Sequence, residues 1–142
     1  MAKERILKGY NGPLTPAQAA KGIQVAMKNA SALFLDAELL LENQRWQRAA
    51  AIAILAIEEA GKPSRLRGLL LAKDEEELRE EWRDYRSHTK KNLMWIFPFL
   101  AKQGAEHLEE FQSIFADESD HGQTLEALKQ IALYSDAYGN CH

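Results

Sequence analysis

A single cysteine, Cys141, stands in the whole chain, so no disulfide can close within it. That usage fits reducing surroundings, and a cytoplasmic location is expected. Proline and glycine are scarce, four and eight among 142 residues, which excludes a collagen-like or low-complexity chain. Few positions are left where a helix must stop. Strand-like alternation of apolar and polar residues is missing as well. The longest apolar runs, 49–57 and 93–100, fall far short of the roughly 20 residues that span a bilayer. The segment before Pro13 lacks the apolar run of a signal peptide, so no membrane partner is expected. An excess of positive charge is also lacking. At a net charge of −3, any affinity for nucleic acid has to rest on a local patch.

What the chain has in abundance is helical spacing. Thr15 is a good N-cap and Pro16 fits the first helical position, where its missing N–H does no harm. Ile23, Ala26, Met27, Ala30, Leu33, Phe34 and Ala37 then recur at steps of three and four, predicting an amphipathic helix to about Glu42. A second helix over 45–61 is apolar on every side between residues 49 and 57, as a central bundle helix must be. Gly61, Lys62 and Pro63 read as its stop, with a short helix over 64–71 beyond. Asp74 caps a helix with an acidic first turn that is predicted to run toward Pro98. Segments 104–115 and 124–134 complete an all-α bundle of about five to six helices. The expected division is an irregular tail over 1–14, one helical domain over 15–138, and a C-terminal tail over 139–142.

Within the third helix lies the stretch EEWRDYRSHTKKN, where Arg83 precedes His88 by five positions. An Arg–x(4–6)–His pattern is weak by itself. Eight arginines and four histidines in this chain give roughly 0.7 matches by accident. The setting adds weight. At about 100° per residue, Arg79, Arg83, Arg86 and Lys90 share one helix face, with Lys91 further round. Such a stripe can hold phosphates by charge and by the guanidinium fork. The plainer reading is a solvated face paired with Glu80, Glu81, Asp84 and the acidic first turn.

On an unbroken helix Arg83 and His88 would lie about 140° apart, so one chain would not aim both at one phosphate. Either the helix is distorted near Ser87, or two chains supply the site together. Metal-free RNA cleavage uses the 2′-OH as nucleophile, and it needs a base, an acid and a cation for the phosphoryl oxygens. Histidine can take either proton role near neutrality. A two-fold dimer would offer two copies of His88 and of Arg83, and its contact is expected to include the helix carrying Trp82. No cofactor and no metal is required.

Glu58, Glu59 and Lys62 end the most apolar helix, so at least one carboxylate is expected to be buried and paired. The spacing predicts a local Glu58–Lys62 pair, with Glu59 pointing inward. An internal ion pair is the structural explanation; a supporting role at the site for Glu59, Lys62 or Asp84 is the functional one. Asp117, Glu118, Asp120 and His121 lack the spacing of a metal site and read as turn and capping residues.

The segments AAAIAILAIEEAGKPSRL, YRSHTKKN and IALYSDAY, in this order, resemble the AbiV family of abortive-infection proteins, assigned to the HEPN superfamily of helical nucleases and RNA-binding domains. The most specific elements are Glu58, Glu59, Gly61 and Lys62, the histidine-and-lysine segment, and Leu133, Tyr134 and Asp136. The resemblance implies a HEPN-like bundle and a role in anti-phage defence. It also implies RNA as substrate, with Arg83 and His88 as catalytic residues. Arg79, Arg86, Lys90 and Lys91 would then guide the RNA backbone. A homodimer and a phage-encoded activator are the partners such a role suggests. Some HEPN domains only bind RNA or protein, and growth arrest by binding alone is the competing reading.

Overall fold

The computed structural model describes residues 9–87 and 120–134. The protein is all-α, and four helices lie among the described residues: α1 (Pro16–Glu42), α2 (Trp46–Leu71), α3 (Glu75–Arg86) and α4 (His121–Leu133). The segment 104–115, expected to be helical, lies outside them.

Local chemistry sets the ends of these helices. Thr15 and Gln18 form a capping box. The Gln18 amide donates to Thr15 Oγ1 at 3.2 Å, and the Thr15 amide donates to Gln18 Oε1 at 2.9 Å. At its far end α1 closes in a Schellman turn. The Arg45 amide reaches the Leu40 carbonyl at 2.8 Å and the Gln44 amide reaches that of Leu41 at 3.0 Å. This geometry puts Gln44 at φ 59°, the left-handed region that favours glycine. Gln44→Gly should therefore raise stability by about 1 kcal/mol, read as a shift in the urea midpoint at constant slope.

Two expectations about helix ends are corrected. α2 does not stop at Gly61 but continues through Pro63 to Leu71, so the separate short helix over 64–71 is part of it. Proline removes one intrahelical hydrogen bond. Against that loss, Leu66 and Leu69 beyond it are buried against Trp82, with Leu14, Ile23, Leu78 and Tyr85 packed around them. Tertiary burial outweighs the local break. α3, in turn, does not run toward Pro98. It ends at Arg86, and Ser87 is extended at φ −74° and ψ 123°. The sequence that follows, Ser87-His88-Thr89, consists of poor helix formers, one of them β-branched.

α2 is the central helix and packs against α1, α4 and α3. The residues these two helices bury are largely small: Ala19, Ala26, Ala30 and Ala37 in α1, and Ala49, Ala51 and Ala56 with Ile54 in the first half of α2. Small side chains let two helix axes approach closely. A Cβ placed on Gly22 would lie 3.1 Å from Leu66 Cδ1, so that contact tolerates little more. The large side chains expected in the α1 core behave differently, since Met27 and Phe34 are exposed.

Residues 9–14 carry no helix, yet they pack across α3. Trp82 Nε1 donates to the Gly12 carbonyl at 3.1 Å, and Tyr10 meets the Trp82 ring edge-on at 6.0 Å. Arg86 closes this strap. It donates to the Tyr10 carbonyl at 2.9 Å and to the Asn11 side chain, and its guanidinium lies 5.1 Å from the centre of the Trp82 ring.

Candidate functional site

The last turn of α3 carries Arg83 and Arg86, placed where cations oppose the negative end of the helix dipole. The three arginines of the basic stripe are held very differently. Arg83 is 72 % exposed, and its contact is a loose one to Glu80 at 3.5 Å. Arg79 is likewise exposed and meets Glu75 at 3.8 Å. Exposed pairs of this kind contribute about 0–1 kcal/mol, so a phosphate can displace them at little cost. Arg86 is committed to the strap over Trp82.

Asp84, next to Arg83, points the other way. Its carboxylate accepts from Arg65 of α2 at 3.3 Å, and Glu81 stands 3.7 Å from the same nitrogen. These contacts fix the rotation of α3 on α2, and hence the direction in which Arg83 points. His88, Lys90 and Lys91 lie outside the described residues. The helix ends at Arg86, so the projection that set Arg83 and His88 about 140° apart does not extend to His88. The distortion near Ser87, one of the two alternatives, is what the backbone shows.

The acidic end of the apolar segment is also rearranged relative to expectation. Lys62 pairs with Glu59 at 2.5 Å, three residues away, rather than with Glu58. Both side chains are largely buried, so Glu59 is partnered within its own helix. Glu58 is the carboxylate that faces the interior. Its side chain is 5 % exposed and accepts from Lys129 of α4 at 2.6 Å, and the lysine is equally buried at 6 %. Glu126 completes the cluster, 2.7 Å from the same ammonium.

The Lys129 pKa follows from this geometry. Burial alone pushes it down, but hydrogen bonds to Glu126 and Glu58 and their negative charges more than reverse that, leaving it above the usual 10.5. Its share of stability is fully present below pH 10.5 and is lost as pH rises through the raised value. The stability gap between the parent and a variant that removes the whole cluster, Lys129→Met with Glu58→Leu and Glu126→Gln, should thus be flat from about pH 7 to about pH 10 and change above it, measured by urea unfolding across that range. A gap that instead changes near neutrality would contradict the assignment.

Sequence reasoning missed Lys129 and Glu126, although a signal was present. Lys129 occupies the same 4-3 stripe of α4 as Leu125 and Ala132, where a lysine has no reason to point unless a buried carboxylate meets it. Among the described residues no three His, Cys, Asp or Glu side chains gather as metal ligands, and no helix is long and apolar enough to cross a membrane.

Comparison with curated proteins and with solved structures found no significant match. The family comparison is positive and nearly complete, because the HEPN domain of AbiV matches residues 18–142. The match takes in α2 with Glu58, Gly61 and Lys62 in its middle, α3 with Arg83, and α4 with Lys129. A helical architecture centred on α2 and a match over most of the chain agree: this protein belongs to the AbiV family of HEPN-type abortive-infection proteins.

Proposed function

We propose that the protein is a metal-independent endoribonuclease that acts as a homodimer in anti-phage defence, with RNA cut at a site formed by Arg83 and His88. The observation that carries this reading is the state of Arg83. It is an exposed, loosely paired guanidinium in the last turn of α3, and the helix ends before His88. In this reading His88 takes the proton of the 2′-OH, whose oxygen attacks the adjacent phosphorus. The bond from phosphorus to the 5′-oxygen breaks, and that oxygen takes up a proton as it leaves. The products are a 2′,3′-cyclic phosphate and a free 5′-OH. Arg83 neutralises charge gathering on the phosphoryl oxygens.

Arg79, Lys90 and Lys91 hold the flanking backbone, with Arg86 a weaker contributor because of its ties to Tyr10 and Asn11. Glu59, Lys62 and Asp84 support the site only indirectly, by fixing the elements that carry it. With α3 ended at Arg86, the homodimer no longer rests on the separation of Arg83 from His88; it is the partner that membership of the AbiV family suggests.

The reading is tested on purified protein and single-stranded RNA in the presence of a chelator. Cleavage should proceed and leave cyclic phosphate ends, and a substrate with a 2′-deoxy sugar at the cut should resist. RNA bound but left intact by a growth-arresting protein would favour the binding-module alternative.

A further inference from the structure

α1 turns its alanines toward α2 and leaves another stripe uncovered. Val25, Lys28, Ala32, Leu35 and Leu39 follow at alternating steps of three and four residues, with Lys21 and Glu42 continuing the pattern at its ends. All seven are exposed, and Val25, Leu35 and Leu39 are 61 %, 62 % and 59 % so. Steps of four and three keep them on one face, the spacing of a seam between two helices. Single exposed leucines are ordinary, but three large apolar side chains in one line along a helix about 40 Å long are an interaction surface. Leu35 also lines, with Phe34 and Ile57, an apolar groove of about 510 Å³ between α1 and α2, so the uncovered surface continues past the stripe.

Charge along the stripe selects the occupant. Lys21 and Lys28 precede Ala32, and Asp36 and Glu42 follow it. Among the described residues none of these four has an ion-pair partner within the chain. We propose that this face of α1 is the contact between two copies of the chain, with the two α1 helices antiparallel and the two-fold axis at Ala32. Val25 and Leu39 each lie seven positions from Ala32, so each meets the other across the axis. Lys28 and Asp36 lie four positions away on opposite sides and pair in the same manner, and Lys21, eleven positions away, comes within one residue of the place opposite the partner's Glu42, which is ten positions away. A parallel arrangement would instead set lysine against lysine and glutamate against glutamate. The small side chain of Ala32 lets the helices approach where they cross.

The inference rests on the homodimer part of the preceding reading and is independent of cleavage. It is tested by light scattering and cross-linking at about 10 µM protein. The parent chain should have the mass of a dimer, and Leu35→Glu with Leu39→Glu should give a monomer with unchanged helical circular dichroism. In a Cys141→Ser background, Ala32→Cys should form a covalent dimer on oxidation because it faces itself across the axis. Val25→Cys should link only when mixed with Leu39→Cys. Lys28→Glu should weaken the dimer about tenfold, and adding Asp36→Lys should restore it. A dimer that survives the double glutamate variant, or an Ala32→Cys protein that does not cross-link, overturns the α1 contact while leaving a homodimer and RNA cleavage standing. A monomeric parent overturns both the contact and the homodimer, and the cleavage assay with Arg83→Ala still reads the ribonuclease separately.

Discussion

Replacing Glu58 by alanine should destabilise the fold by about 3 kcal/mol, lowering the melting temperature by roughly 10 °C. The substitution removes one of two carboxylates from an ammonium that has almost no access to water. Glu126 remains 2.7 Å from Lys129, which keeps the cost at the lower end of the range for breaking a buried pair. Removing both charges is a different matter. Glu58→Leu combined with Lys129→Met should recover most of the loss, because the two most deeply buried charges leave together and Glu126, 26 % exposed, keeps its hydrogen bond from Gln130. Chemical denaturation of the parent, the Glu58→Ala protein and the double variant checks this directly. A Glu58→Ala protein within about 0.5 kcal/mol of the parent would mean that the Glu58–Lys129 contact does not hold α4 on α2.

The second large effect concerns the end of α3. Arg83→Ala should slow RNA cleavage by about two to three orders of magnitude, the scale for losing one electrostatic stabiliser of a transition state. Its stability should change by no more than about 0.5 kcal/mol, since the side chain is exposed and its pair with Glu80 is loose. Arg86→Ala should do the reverse in part. It severs the strap over Trp82 and should cost about 1–2 kcal/mol of stability, with a smaller loss of RNA affinity. Lys90→Ala and Lys91→Ala should weaken binding to all RNA sequences alike and flatten its salt dependence. Comparing cleavage rates with urea midpoints across this series separates the arginine that serves chemistry from the one that serves the fold.

The contrast between the two arginines shows what was legible in the sequence and what was not. Thr15 and Asp74 mark helix starts through their own short side chains, so the boundaries around them could be read locally. α2 beyond Pro63 could not, because the force that carries the helix through the proline is burial of Leu66 and Leu69 against Trp82, a distant residue in sequence. The position of Arg83 on an exposed face followed from helical periodicity alone. The capture of Arg86 by Tyr10 and Asn11 did not, since it depends on a strap more than seventy residues away in sequence. Glu59 is largely buried and paired as expected, but the deepest carboxylate is its neighbour Glu58. Glu58 and Glu59 are adjacent, and only the position of Lys129 on α4 decides which of them faces inward.

The central claim is that RNA chemistry at the end of α3 depends on His88 as the group that moves protons, and the most direct measurement is single-turnover cleavage by His88→Ala protein in chelator, beside the affinity of the same protein for the same RNA. The account predicts that cleavage falls below detection while the RNA dissociation constant stays within about threefold of the parent, because the cationic side chains that hold phosphates are untouched. A His88→Ala protein that cuts RNA at the parental rate would contradict it.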